Sequence, residues 1–410
     1  MEMLQFFKQI CLVWPVATLV VIIMEEVTAY TILVLGWFSK KLRIGIKRLV
    51  FKYEYFLMSS YKKTFTLPFK YDIPNYSQVF LAETSVFKRR LKHIKRYFYI
   101  ILRRQNKHEV FNILPSHRKI LWINLSAPSL GDSLMDLSSR IMLRGRKVDL
   151  FTDKKNKDLY QNDFIFTAIY TNINQVKNNK YDLIIIDSYS TRSIQIKADI
   201  AYETNFVGMF GYYNGPEVNR VLFSFHQMNN LLGYVKNEDE LNTIAKTSIS
   251  ISRRDKRIIQ NIKLPSKFIA FAIGGEWNYR TYKKWNFVIE NLLSQDKDLN
   301  IILVGSDNAK ETAKEIMRKF SSYKLYNYVS KFSFNQTTEI ISRAQILLCC
   351  DGGLMHSANA VDTLTLTLFA RLTEEMQLTK SNSSFSIFDK DNVNNITVED
   401  ILKKYNEASV

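Results

Sequence analysis

Asp351-Gly352-Gly353, with His356 three residues further on, is a compact grouping of chemically capable residues in this 410-residue chain. Two glycines let backbone N–H groups approach a ligand closely, and a helix starting there turns its positive end toward an anion. With a carboxylate at the turn and an imidazole about one helical turn in, the natural guest is a diphosphate. Three further sets could serve the same chemistry. Asp132, after Gly131, is a carboxylate able to accept a proton, although an acidic residue at a helix start is also an ordinary cap. Lys283 and Lys284, with Arg280 as an alternative, put positive charge near a predicted helix N-terminus, where a departing diphosphate would lie. Ser306, Asp307 and Glu311 follow an apolar run of strand length. Asp136 and Asp187 are lesser substitutes for Asp132.

The elements that must hold these residues alternate between strand and helix. Ile346–Cys350 is a short apolar run. It breaks at Asp351-Gly352-Gly353, continues as a small-residue helix through Val361 and ends in a second β-branched run to Ala370. This is a unit of a parallel α/β sheet, and it places Asp351 at the carboxyl end of a strand, where open sheets bind their ligands. Upstream, Lys267–Ile273, Asn300–Val304 and Leu325–Val329 are predicted strands. Between them come helices near 286–293, 308–320 and 336–343. An earlier set comprises Ile120–Leu125, a helix from Asp132 to about Leu143, Val148–Phe151, Leu183–Ile186, Phe206–Phe210 and Val221–Phe225. A charged, helix-prone stretch over 236–262 links the two sets. Thr397-x-x-Asp400 starts a last helix over 398–405. The pattern predicts an α/β protein of two Rossmann-like domains, over 116–255 and 256–385, with a closing segment 386–410 and an extension over 1–115. No G-x-G-x-x-G follows the first strand, so no dinucleotide cofactor is expected.

The stretch 346–370 resembles the C-terminal signature of family-nine glycosyltransferases, the heptosyltransferases of lipopolysaccharide core assembly. That signature reads D-T-G-x-x-H-x-A-A-A followed by a strand ending L-F-G. Asp351, Gly353, His356, Ala358, Ala360 and Leu368-Phe369 match, while Gly352 replaces a threonine and Asn359 an alanine. The segment Ser126–Leu134 resembles the family's first-domain loop, in which the aspartate after glycine is the proposed base. Ser138 departs from a proline found there. Residues 273–287 resemble the segment carrying K-x-W-P, with Lys283 as the phosphate-binding lysine, Trp285 as the tryptophan and Asn286 in place of the proline. The resemblance covers roughly residues 118–405. It implies a GT-B fold, two Rossmann-like domains facing a cleft. It also implies a metal-independent, inverting transfer of heptose from a nucleotide-diphosphate sugar, ADP-heptose, to a lipid-linked saccharide acceptor of the lipopolysaccharide core. Asp132 would be the base and Lys283 the leaving-group cation. Gly131, Lys284, Ser306, Glu311, Asp351, Gly352, Gly353 and His356 would complete the donor site, with Glu311 on the ribose. In such folds the terminal helix commonly crosses back to the first domain. Another nucleotide-sugar, or a catalytically silent membrane-bound scaffold, are the alternatives.

Composition sets outer bounds. A hydrophobic content of 46% with 23% charged residues describes a folded chain. The three cysteines suggest no disulfide, and neighbouring Cys349 and Cys350 would point to opposite sheet faces. The five histidines show no metal-ligand spacing, and Asp296-Lys297-Asp298 and Asp389-Lys390-Asp391 are poorly placed for a metal–diphosphate complex. Of the net charge of +18, residues 1–120 carry +14, from 21 Lys/Arg against 7 Asp/Glu. Together with apolar runs at 10–24 and 27–38, this points to an anionic membrane surface as partner. No nucleic-acid motif accompanies the charge. A basic amphipathic helix is predicted over 86–104, with Phe87, Leu91, Ile94, Phe98 and Ile101 as its apolar stripe. The expected location is the inner face of the cytoplasmic membrane, with residues 1–115 as a peripheral anchor. On length alone, a transmembrane anchor over 10–38 is the alternative.

Overall fold

The computed structural model describes residues 59–70 and 86–408. The apolar runs at 10–24 and 27–38 lie outside the described residues. The described residues from Thr64 to Ala408 form one compact unit. Among the described residues no helix is long and apolar enough to cross a membrane.

Two all-parallel sheets organise this unit. The first contains β1 (Lys119–Asn124), β2 (Lys147–Thr152), β3 (Phe166–Tyr170), β4 (Leu183–Ser188) and β5 (Phe206–Gly211), in the order β3-β2-β1-β4-β5. The second contains β6 (Ile269–Ala272), β7 (Ile301–Val304), β8 (Leu325–Asn327), β9 (Leu347–Cys350), β10 (Thr365–Ala370) and β11 (Ser384–Asp389), in the order β11-β10-β9-β6-β7-β8. Strands covered on both faces need near-continuous apolar sequence, and Leu183-Ile184-Ile185-Ile186 and Ile301-Ile302-Leu303-Val304 supply it, every residue buried. Alternate residues feed opposite layers: Ile120 and Trp122 pack in one cluster, Leu121 and Ile123 in another. Cys350 and Cys349 divide in the same way, as the pleat requires. Strand order reverses between β1 and β4 and between β6 and β9. These switch points open a crevice at the carboxyl ends, and all the expected site loops except the Ser306–Glu311 stretch leave from strands β1, β4, β6 or β9.

Helices cover both sheets. In chain order they are α1 (Val86–Leu102), α2 (Leu130–Asp136), α3 (Lys154–Tyr160), α4 (Thr191–Ala201), α5 (Arg220–Leu231), α6 (Glu238–Ile244) and α7 (Arg253–Gln260). There follow α8 (Trp285–Gln295), α9 (Lys310–Lys319), α10 (Phe334–Ile341), α11 (Gly353–Ala360), α12 (Glu374–Gln377) and α13 (Val398–Ala408). Four features differ from the sequence expectation. Val221–Phe225 is not a strand but the start of α5. Asn219 caps that helix by accepting from the Leu222 N–H at 3.0 Å, and Val221, Phe225 and Met228 form a buried helical stripe. A five-residue stretch with four apolar side chains fits either period, and the cap decides it. The helix starting near Asp132 ends at Asp136 and gives way to a 3₁₀ segment over Ser138–Leu143. Edge strands β3 and β11 were not expected; both mix polar with apolar residues, because one side of an edge strand faces solvent. The closing helix α13 starts at Thr397, whose hydroxyl accepts from the Asp400 N–H at 3.1 Å, but it packs on α8, β10 and β11 instead of crossing to the first sheet. The crossing is made by the α12 segment: Asn219 Nδ2 donates to the carbonyls of Glu375 (3.0 Å) and Leu378 (2.7 Å).

Helix α1 is present, but its packed face is not the apolar stripe. Arg89, His93 and Ile100 are buried, with His93 edge-on to Tyr212 at 5.0 Å, while Phe87 is 55% and Ile101 39% exposed. Contacts from Lys92 to Asn214 (2.7 Å) and from Arg103 to Asp199 (3.2 Å) fasten it to the first domain.

Candidate active site

The loop leaving β1 is held by Asp187, at the end of β4. Its Oδ2 accepts from the N–H groups of Leu125 and Ser126, both at 2.6 Å, and its Oδ1 from the Ser188 N–H (2.6 Å) and the Ser193 hydroxyl (2.7 Å). Fully buried and saturated, Asp187 is a loop organiser and not a substitute base. The loop runs to Ser129, which caps α2. Asp132 is the third residue of that capping box: its Oδ2 accepts from the Ser129 N–H (3.1 Å) and hydroxyl (2.6 Å), and its own N–H donates back to Ser129 Oγ (3.2 Å). Cap and candidate base are one residue.

Asp132 faces a cleft of about 1060 Å³ at the carboxyl ends of both sheets. Ser129, Gly131, Asp132, Glu217 and Arg220 line it from the first domain. Gly274, Gly275, Arg280, Ser306, Asp351, Gly352, Gly353 and His356 line it from the second. The walls touch at their base. A Cβ added to Gly131 would lie 3.0 Å from His356 Cδ2 and 3.2 Å from Gly353 Cα, so the N-termini of α2 and α11 meet at a distance that a side chain larger than glycine's would press apart by a few tenths of an ångström. The N-cap of α11, Gly352, offers no side chain to the first turn, which leaves backbone N–H groups for an anion.

Charge in the cleft is carried by arginines and carboxylates. Arg280 Nη1 donates to Asp351 Oδ2 at 3.1 Å. Arg220 donates through Nε and Nη2 to Asp136 (2.9 and 2.8 Å) and through Nη1 to Asp132 Oδ1 (2.5 Å). Burial pushes the Asp136 carboxyl up to about 7, against the pull of Arg220 and with help from the neighbouring charges of Asp132 and Asp187. Burial lowers the His356 imidazole, while Asp351, Asp132 and a hydrogen bond with Gln377 pull the other way.

Of the residues expected from sequence, Gly131, Asp132, Ser306, Asp351, Gly352, Gly353 and His356 are brought together. Lys283, Lys284 and Glu311 are not. The Lys283 N–H donates to Asn394 Oδ1 (2.8 Å), Lys284 Nζ donates to the Asn394 carbonyl (2.9 Å), and Asn394 Nδ2 donates to the Thr281 carbonyl (3.0 Å). Asn394 thus holds the strip 281–284 outside the cleft, and the short turn Asn278–Arg280 brings Arg280 inward instead. Glu311 is exposed and paired with Lys314 at 2.7 Å. Arg220 and Glu217 were missed, because the run that follows them looked like a strand; Asn219, a capping residue type directly before Arg220, was the available signal.

Two parallel Rossmann-like sheets closing on one cleft, with ligand loops at both switch points, make the GT-B architecture of glycosyltransferases. The sequence profile of glycosyltransferase family 9 (heptosyltransferase) matches residues 213–405, so this stretch carries a family-nine domain and the chain is a glycosyltransferase. Among solved structures, the fold is similar to a family-nine glycosyl transferase from Veillonella parvula (TM-score 0.61, 13% identity, 71% of this chain and 97% of that one). It is also similar to the E. coli ADP-heptose lipopolysaccharide heptosyltransferase II (0.57, 17%, 71% and 98%) and to E. coli heptosyltransferase WaaC with ADP (0.53, 15%, 71% and 99%). No curated protein matches the sequence.

Proposed function

We propose that this glycosyltransferase moves a heptose from a nucleotide-diphosphate sugar, ADP-heptose, to a lipid-linked saccharide acceptor of the lipopolysaccharide core, with inversion and without a metal. The observation that carries the reading is the contact of Gly131 with Gly353 and His356, which sets a carboxylate and an anion-binding helix N-terminus in one cleft. Asp132 takes the proton of the acceptor hydroxyl as its oxygen attacks the anomeric carbon from the face opposite the diphosphate. The N–H groups at the start of α11 and the Arg280 guanidinium meet the charge that grows on the leaving diphosphate, the work a metal would otherwise do. Arg280 takes the role that the resemblance gave to Lys283. Trp277, 53% exposed beside the cleft, is a stacking platform for the base. Similar structures hold ADP, or ADP-2-deoxy-2-fluoro heptose in a WaaC complex (TM-score 0.51, 16% identity, 71% of this chain and 100% of that one), which supports the donor class. A second reading is the same reaction with another nucleotide-sugar, because Glu311, the residue expected on the ribose, is exposed and paired with Lys314, and nothing else in the site is tied to one base.

A thermal-shift screen of nucleotide-sugars, followed by measurement of ADP released with and without core acceptor, tests the donor. Selective stabilisation and acceptor-dependent release are expected for ADP-heptose; selective response to a different donor replaces this reading with the second. The basic extension is assigned to the anionic face of the cytoplasmic membrane. In vesicle sedimentation the full chain pellets with anionic but not neutral vesicles, and high salt releases part of it. Equal binding to neutral vesicles removes the electrostatic assignment.

A further inference from the structure

Asp136, unlike Asp132, is too deeply buried to meet a substrate. Its side chain is 1% exposed, whereas Asp132 and Arg220 are each 22% exposed and reach the cleft. Yet Asp136 takes two of the three donors that Arg220 uses, and the third goes to Asp132. A chain of contacts therefore runs from a buried carboxylate, through a guanidinium, to the carboxylate that faces the acceptor.

The surroundings make each link rigid. Ser224 at the next turn of α5 donates its hydroxyl to the Asp136 carbonyl at 2.8 Å, and the Arg220 guanidinium lies 5.9 Å from the centre of the Phe210 ring. Asn219, one residue before Arg220, ties the start of α5 to the second domain through the Glu375 and Leu378 carbonyls. A guanidinium fork gripped on one edge by both oxygens of a carboxylate presents its remaining N–H in a fixed direction. An aspartate carboxylate, in contrast, rotates broadly about its last torsion. Ser129 holds Asp132 Oδ2 and Arg220 holds Oδ1, so together they fix the plane of the carboxylate.

We propose that Arg220, fastened by Asp136, is the positioning residue for Asp132, and that the pair orients the carboxylate toward the acceptor hydroxyl. The inference rests on the transfer reading above, with Asp132 as base. In that step the acceptor O–H proton passes to Asp132, the acceptor oxygen bonds to the anomeric carbon, and the bond to the diphosphate breaks with its electrons leaving on the diphosphate. Arg220 neither gains nor loses a proton. It also offsets the charge of Asp132, which would otherwise stand uncompensated beside the donor. Other charged groups facing this cluster are Glu217, Asp187, Asp351 and His356.

The test is a double-mutant cycle in the full chain. Arg220→Lys and Asp136→Asn lower kcat by roughly 10- to 100-fold, the scale of a misplaced reacting group, while calorimetric donor affinity and the acceptor KM stay near wild type. In an Asp132→Asn background each adds nothing further, because a residue acting only through Asp132 has nothing left to act on. A raised KM with kcat unchanged makes Arg220 a substrate contact and overturns the proposal; so do losses that add in the Asp132→Asn background. Thermal unfolding of each variant separates misfolding from lost positioning. A second arm needs no turnover: the Arg220 Nε–H signal in 15N-labelled protein is shifted and protected in wild type and collapses in Asp136→Asn. If wild type transfers no sugar at all, the transfer reading fails alone. If the Arg220 signal is unmoved by Asp136→Asn, the positioning pair fails.

Discussion

Gly131→Ala presses on the contact that joins the two halves of the site. The added methyl would sit 3.0 Å from His356 Cδ2 and 3.2 Å from Gly353 Cα, against an ordinary contact of 3.4–4 Å. His356 is buried and Gly353 Cα is backbone, so neither yields as a flexible side-chain tip would, and α2 must retreat by a few tenths of an ångström. Overpacking of this kind costs about 1–3 kcal/mol. Asp132 is the next residue on the displaced helix, so the same shift carries the carboxylate away from the α11 turn; a misplacement of about 1 Å costs roughly 100-fold in rate, so a few tenths of an ångström costs less than that but a measurable part of it. The control is Gly352→Ala. Its Cβ meets nothing nearer than the Cys350 carbonyl at 4.0 Å, and its φ of 167° is extended backbone open to any residue. Thermal unfolding and steady-state transfer, measured on both variants and on Gly131→Ala/His356→Ala, check the account. The double variant removes one of the two close contacts and recovers part of the stability but none of the rate. Wild-type stability and rate in Gly131→Ala would refute the claim that the glycine contact sets the site.

The remaining predictions follow from the same geometry. Asp132→Asn leaves donor binding close to wild type by calorimetry and lowers turnover by roughly 10²–10⁴-fold. Arg280→Ala weakens donor binding and slows transfer together, whereas Lys283→Ala and Lys284→Ala leave donor affinity near wild type; the reverse pattern would return the role to the lysines. Gly352→Thr is accommodated without strain and raises donor affinity in calorimetry by returning a hydroxyl to the anion turn.

Much of the fold was legible because its strands are buried on both faces. Leu183–Ile186 and Ile301–Val304 leave little room for another reading, and their order between helix-prone stretches implies parallel sheets. Legibility failed where burial is partial or a cap decides: the edge strands β3 and β11 lack the apolar signal, and Val221–Phe225 became helical through Asn219. The extension helix α1 shows the same limit. Its amphipathic stripe was visible in sequence, but the face that packs contains Arg89 and His93, since the first domain offers aromatic and polar partners there, Tyr212 among them.

The donor site divides along a similar line. Glycine turns are written into local sequence, because the need for a Cβ-free backbone depends on immediate neighbours; Gly352-Gly353 and Gly131 accordingly fall in the cleft. Which cation faces that cleft depends on a partner more than a hundred residues away. Asn394 binds Thr281, Lys283 and Lys284 through its side chain and carbonyl, so the strip carrying both lysines lies along the turn that precedes α13. Arg280, on the far side of Thr281, escapes this hold and meets Asp351. A lysine pair beside a tryptophan reads locally as a phosphate grip, and the bonds to Asn394 are what the local sequence does not show. Asn394→Ala removes the side-chain bonds to Thr281 and Lys283 and leaves the carbonyl that holds Lys284: if Lys283 can then reach the diphosphate, it restores donor affinity to an Arg280→Ala variant, as calorimetry on the double variant would show. No recovery would mean that the strip is held outside by more than Asn394, and that Arg280 is the one cation of residues 280–284 able to serve the leaving group.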